Sequence, residues 1–208
     1  MAPHRSQVEI ERTYDVSSAL TPPDLVGVGA VAVALDPATG ELVATYYDTP
    51  ELTLARARIS VRARRGGDDE GWHVKLPPEG EGRRELHWPL GEGRIPPGEL
   101  LVAVAGRLGG PVPPIAPVAC VTNTRVTTVL RDAAGRDLAE LCDEHVRSEN
   151  LRTGGTDAWR EWEVELLSGA PGTRSGRTEL LDGIEERLLA AGARPSARSS
   201  KLQRALGL

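Results

Sequence analysis

Carboxylates recur at every second residue in two stretches far apart in the chain, Val8-Glu9-Ile10-Glu11 and Glu161-Trp162-Glu163-Val164-Glu165-Leu166. Successive side chains of a β-strand point to opposite faces, so each stretch sets its acids on one face and its apolar residues on the other. The same period carries positive charge in Ile59-Ser60-Val61-Arg62-Ala63-Arg64, and His73 and Lys75 follow in Trp72-His73-Val74-Lys75-Leu76. Aligned carboxylates offer hard oxygen ligands to Mg²⁺ or Mn²⁺, and aligned Arg and Lys neutralise phosphate oxygens. Rows of both signs in one chain point to a binder of a polyanion together with its divalent cations.

The rest of the composition narrows the partners. Of 25 basic residues only Lys75 and Lys201 are lysines, which suggests a need for a compact point charge at those two places. A chain of 208 residues with 26% charged and 39% hydrophobic residues suits one globular domain, residues 1–208, and not a disordered segment. The formal net charge of -5 argues against sequence-independent nucleic-acid binding, so any polyanion must be met by local basic groups. Cys120 and Cys142 are too few for a disulfide framework. No apolar run approaches the roughly 18 residues of a membrane span, and residues 1–7 lack the apolar segment of a secretory signal. No membrane partner and a reducing cytoplasm are expected.

The elements that must position these residues are mostly strands. Strands are expected over 8–16, 30–36, 42–48, 59–65, 71–77, 83–90, 118–131, 136–147 and 158–168, with turns at Asp36-Pro37-Ala38-Thr39-Gly40 and Ala133-Ala134-Gly135. Thr21-Pro22-Pro23-Asp24 fits the start of a short helix, and 50–57 a helical turn. A helix over 97–107 follows Pro96-Pro97 and stops at Gly109-Gly110. The last long helix spans 176–191, with Leu180, Leu181, Ile184, Leu188 and Leu189 as its apolar stripe and Gly192 as its end.

An antiparallel strand with one polar face commonly turns it to solvent. That explanation weakens as charged rows recur over five or six strands in a chain with no Phe. The alternative is a β-dominated α+β fold whose strands enclose a wet, charged bore, with helices against the outer apolar faces.

Glu9-Ile10-Glu11-Arg12-Thr13, Tyr46-Tyr47-Asp48-Thr49-Pro50, Arg62-Ala63-Arg64, Gly71-Trp72-His73-Val74-Lys75-Leu76-Pro77, Glu163-Val164-Glu165 and Ser200-Lys201 occur in an order that resembles the CYTH domain of the triphosphate tunnel metalloenzymes. The resemblance covers nearly the whole chain. It implies a closed antiparallel barrel of about eight strands forming a charged tunnel. It also implies a triphosphate-containing small molecule or short polyphosphate as substrate, with Mg²⁺ or Mn²⁺ as cofactor. Carried over by position, Glu9, Glu11 and Lys75 are catalytic, and Arg62, Arg64, Lys75, Arg125 and Lys201 grip phosphate. Glu9, Glu11, Glu163 and Glu165 face metal, with Glu161 in the same row, and Glu85, Glu140 and Asp143 match further acids. Glu140 and Asp143 share a face only if a bulge separates them.

One departure bears on turnover: the opening motif of that family is E-x-E-x-K, and its lysine position is Thr13 here. A hydroxyl does not replace an ammonium beside phosphate, and Arg12 points to the opposite face. The expected function is metal-dependent triphosphate hydrolysis. A weakened polyphosphate-binding module and a class IV-type adenylate cyclase are the alternatives. The resemblance further implies a CHAD-type helical domain or a second copy of the chain as partner. His4, His73, His87 and His145 lack metal-site spacing, Gly66-Gly67 reads as a turn, and Ser199 and Ser200 lack triad partners.

Overall fold

A computed structural model describes residues 5–91, 95–198 and 200–208; His4 and Ser199 lie outside them. Eleven strands form one antiparallel sheet: β1 (Arg5–Glu9), β2 (Glu11–Val16), β3 (Val33–Ala34), β4 (Ala38–Asp48), β5 (Ser60–Arg65), β6 (Gly71–Glu79), β7 (Gly82–Trp88), β8 (Ala116–Arg131), β9 (Asp137–Asn150), β10 (Thr156–Leu166) and β11 (Arg194–Pro195). Among the described residues four helices accompany them: α1 (Thr53–Arg56), α2 (Gly98–Leu108), α3 (Arg174–Ala190) and α4 (Lys201–Leu206). The fold is α+β and dominated by its sheet, as expected.

The expected closed barrel is corrected. Hydrogen bonding runs β1-β7-β6-β5-β4-β8-β9-β10-β2-β11, with β3 added on β8, and does not return to its start. The two halves of the N-terminal segment take opposite ends of that path: β1 pairs with β7, while β2 pairs with β10. Ile10 joins them, and its carbonyl accepts from the Leu166 amide at 2.9 Å. The ring is thus bridged by chain connectivity at one residue rather than by a continuous ladder. At this crossing a Cβ on Gly82 would lie 2.7 Å from the Glu9 carbonyl, so only glycine lets β7 approach.

Two apolar clusters lie on the outer face. Val61, Trp72, Val74 and Leu86 pack against Leu100 and Val104 of α2, and Trp162, Val164, Leu138 and Leu141 pack against Leu180, Leu181, Ile184 and Leu188 of α3. α2 ends at left-handed Gly109, and α3 starts where the Thr173 hydroxyl accepts from the Gly176 amide at 3.2 Å. α1 is only four residues long, yet the buried Asp48 carboxylate accepts from the Thr49, Leu54 and Ala55 amides at 2.7, 2.9 and 2.9 Å and satisfies its start.

Three local expectations fail. No helix forms at 21–26, because Asp24 Oδ1 accepts from the Val26 amide at 2.9 Å in a local turn, while Leu25, Val28 and Val31 are buried individually in the α3 cluster. The strand at 30–36 shrinks to Val33–Ala34, and the turn at 36–40 gives way to the first residues of β4.

Candidate functional site

Cross-strand register decides which side chains meet. Gln7 lies opposite Glu85 and Glu9 opposite Arg83, Lys75 opposite Glu85 and Ser60, and Arg62 opposite His73 and Tyr46. The same face continues through Leu42 opposite Asn123, Arg125 opposite Glu144, Glu144 opposite Glu161, Glu163 opposite Thr13, and Glu165 opposite Glu140 and Glu11. A period of two is thus handed from strand to strand around the sheet. The result is a cavity of about 300 Å³ lined by Glu9, Glu11, Thr13, Arg62, Arg64, Lys75, Arg125, Glu140, Glu161, Glu163, Glu165 and Lys201.

α4 enters this interior instead of covering the outside, which the sequence reading did not anticipate. Leu202 and Ala205 pack with Tyr46, Val121, Val146 and Trp159, and so fill part of the interior with apolar groups. The Ser200 hydroxyl caps α4 by accepting from the Gln203 amide at 3.2 Å, which gives that serine a structural role. The cap aims the next residue, Lys201, at Glu161 and Glu163, each 2.6 Å from its ammonium, and at fully buried Glu144.

One oxygen from each of Glu144, Glu161 and Glu163 lies within 4.8 Å of the others. Arg125 closes this deep group, 2.5 Å from Glu144 and 3.5 Å from Glu163. Burial alone would keep Glu163 neutral, but Lys201, Arg125 and Lys75 overcome it and hold its pKa at about 2. Glu161 is pushed up to about 7 by burial, against the pull of Lys201 and with repulsion from Glu163 and Glu144.

A second acidic group lies toward the open end. Lys75 sits 2.8 Å from Glu9 and 3.1 Å from Glu11, and although burial opposes its charge, Glu11, Glu9 and Glu85 raise its pKa. Glu165 makes no ion pair among the described residues. Burial, with repulsion from Glu9, Glu11 and Glu140, pushes it up to about 8.

Both groups offer only carboxylate oxygens, the donor set of a hard divalent cation. Among the described residues, the buried Glu9 Oε2, Glu144 Oε2 and Glu161 Oε1 have no hydrogen-bond partner of good geometry, and each lies against a lysine ammonium. The residues therefore fit a hard divalent cation.

Glu85 does not line the cavity. It lies behind the basic wall, 2.5 Å from His73 Nδ1, 3.7 Å from Arg62 and 3.8 Å from Lys75. Its pKa is depressed: burial would raise it, but Arg62, His73 and Lys75 prevail. His73 shares the Lys75 face, and its Nε2 meets the Asp69 carbonyl at 2.9 Å, so both ring nitrogens are engaged within the wall.

Asp143 is on the wrong face. No bulge interrupts β9 between 140 and 143, so Asp143 points outward and takes both its oxygens to Arg160, at 2.7 and 2.6 Å. Strict alternation from Glu140 through Cys142 reaches Glu144, which the sequence reading missed. Arg12 does lie outside, 2.7 Å from Asp182 and 3.2 Å from Glu185.

The CYTH domain model matches residues 7–185. The chain belongs to the CYTH family. An uncharacterized protein of Mycobacterium tuberculosis strain H37Rv is 39% identical over 211 residues, covering 96% of this chain but 40% of that relative. The chain thus spans about 40% of the length of the curated relatives it matches. Among solved structures, a candidate adenylate cyclase from Bacillus halodurans matches with a TM-score of 0.63 and 19% identity, over 96% of this chain and 97% of that one. A candidate adenylyl cyclase from Hippeastrum, described as having a dominant triphosphatase activity, matches with a TM-score of 0.52 and 16% identity, over 96% and 95%. These likenesses establish the fold. Among the described residues, no helix is long and apolar enough to cross a membrane.

Proposed function

We propose that the chain hydrolyses inorganic triphosphate, or a related short polyphosphate, with the help of Mg²⁺ or Mn²⁺. The observation that carries this reading is the cavity of about 300 Å³ in which Arg62, Arg64, Arg125 and Lys75 face Glu9, Glu11, Glu163 and Glu165. A phosphoanhydride chain needs its charge neutralised and its phosphorus held in line with water, and little covalent chemistry from the protein. The guanidinium groups would take the phosphate oxygens in paired hydrogen bonds, and Lys75 would add a point charge. Glu9, Glu11 and Glu165, with Glu140, would hold a divalent ion, which when bound polarises phosphoryl oxygen and acidifies water. Glu85 would keep Arg62 and Lys75 aimed inward.

Lys201 bears on the missing motif lysine. Its ammonium lies 2.6 Å from Glu163, the cross-strand partner of Thr13, so α4 brings a cation to that part of the bore. The test is phosphate release from triphosphate with Mg²⁺ or Mn²⁺, with Glu163→Gln and Arg62→Ala as controls. Release from the wild type at least a hundredfold above both is expected, and release no greater than theirs removes the proposal.

Thr13 favours a second reading, a polyphosphate-binding module with weak turnover. Under it, triphosphate binds with strong salt dependence and Thr13→Lys raises hydrolysis. Intact binding with unchanged hydrolysis in that variant excludes Thr13 as the cause.

A further inference from the structure

The bore continues past its acidic groups. On the side of Glu9, Glu11 and Ser60 it opens into a mouth of about 610 Å³ that is also lined by Arg58, Arg83 and Arg198. Ser200, Leu202 and Gln203 form one wall of this mouth, and Thr13, Ser60, Arg83 and Arg198 line both spaces, so an anion too long for the bore extends into the mouth.

The charges at this mouth are unequal in their availability. Glu9 and Glu11 are engaged by Lys75, and Glu81 by Arg177. Arg58 and Arg198 are exposed, and neither makes an ion pair among the described residues. Among the described residues, no aromatic ring lines the mouth to stack on a nucleobase.

Arg58 is unusual in its backbone as well. It has a φ of 57°, in the left-handed region, directly after α1 and its cap Ala57, where glycine is the low-cost residue. Arg83 pins this turn by donating to the Arg58 carbonyl at 2.8 Å and to the Leu76 carbonyl at 2.6 Å. An arginine placed where glycine fits better, with its peptide clamped by a second arginine, points to a use for its side chain.

Resting on the triphosphatase reading, we infer that the mouth is an additional phosphate subsite, in which Arg58 and Arg198 take the phosphates of a linear polyphosphate beyond the third. The subsite selects longer inorganic polyphosphate over both triphosphate and nucleoside triphosphates.

The experiment compares tripolyphosphate, tetrapolyphosphate and ATP, using calorimetric affinity in metal-free buffer and kcat/KM for phosphate release with Mn²⁺. The wild type is expected to bind tetrapolyphosphate about tenfold more tightly than tripolyphosphate, as one added charge-assisted contact allows. Arg58→Gly relieves the left-handed strain, keeps the fold and reduces that preference to about twofold, whereas Arg58→Lys retains most of it. ATP should bind no more tightly than tripolyphosphate. Equal affinities in the wild type, an unchanged preference in Arg58→Gly, or ATP binding more tightly than tetrapolyphosphate would each overturn the inference. Failure of the triphosphatase reading has a different signature: no phosphate release with Mn²⁺ while the affinity ranking persists.

Discussion

The chain's two lysines serve two acidic groups in one cavity, and the groups are not equally satisfied. Deep in the bore, Lys201 contacts three carboxylates and Arg125 contacts two of them, so the protein supplies most of the positive charge itself. Toward the mouth, Lys75 is shared by Glu9 and Glu11, and Glu165 faces them and Glu140 with no ion pair among the described residues. The deep group has a resident cation on a helix, whereas the mouth group is short of one. Electrostatics therefore favours divalent metal first at the mouth, where no ammonium must be displaced from Glu165.

The largest test of this difference is the loss of each lysine. Lys201→Met strands buried Glu144 and Glu161, and one-sided loss of a buried ion pair costs about 3–5 kcal/mol. Lys75→Met should cost about half of that, because its partner Glu11 is 24% exposed at its side chain. Urea denaturation of the two variants decides, and equal losses would erase the distinction.

A second test uses pH. Glu165 has a folded pKa of about 8 against an ordinary value of 4.5, so the folded state holds a proton that the unfolded state has released. Its contribution to stability is present below about 4.5 and is lost as pH rises toward about 8. Thermal melts of Glu165→Gln should show a flatter decline over that window, and Mg²⁺ should flatten the wild-type profile by stabilising the carboxylate. An identical decline in wild type and variant would mean that the mouth is not short of charge.

The smallest effect separates Asp143 from its neighbour. In Mn²⁺ titrations Asp143→Asn should leave affinity within about twofold of wild type, since its oxygens are spent on Arg160, whereas Glu144→Gln should alter it. A large loss in Asp143→Asn would return that residue to the metal-facing set.

Most of the cavity wall was legible because alternation in a strand is a short-range property: Glu9 with Glu11, Arg62 with Arg64, and Glu163 with Glu165 each share a face whatever they pair with. The same rule, applied strictly, would have replaced Asp143 by Glu144; the assumed bulge is absent from β9. Glu85 shows the limit of parity, since it faces inward yet is covered by the Arg62, His73 and Lys75 side chains it holds. α1, α2 and α3 announced themselves through prolines, glycines and apolar spacing. α4 did not, because six residues carry too little periodicity, and what holds them is an interior of Trp159, Tyr46 and Val121 drawn from distant strands. The break at Ile10 was equally hidden, since residues 8–16 read as one strand and only their two sets of partners divide them.

That break governs the order of assembly. Residues 5–16 are synthesised before their partners, so β1 waits for β7 at 82–88 and β2 waits for β10 at 156–166. Glu9 and Glu11, adjacent in the chain, are therefore brought into place by two separate long-range docking events, and such non-local pairings form slowly. During synthesis β2 is an unpaired edge, open to a neighbouring nascent chain until β10 has emerged.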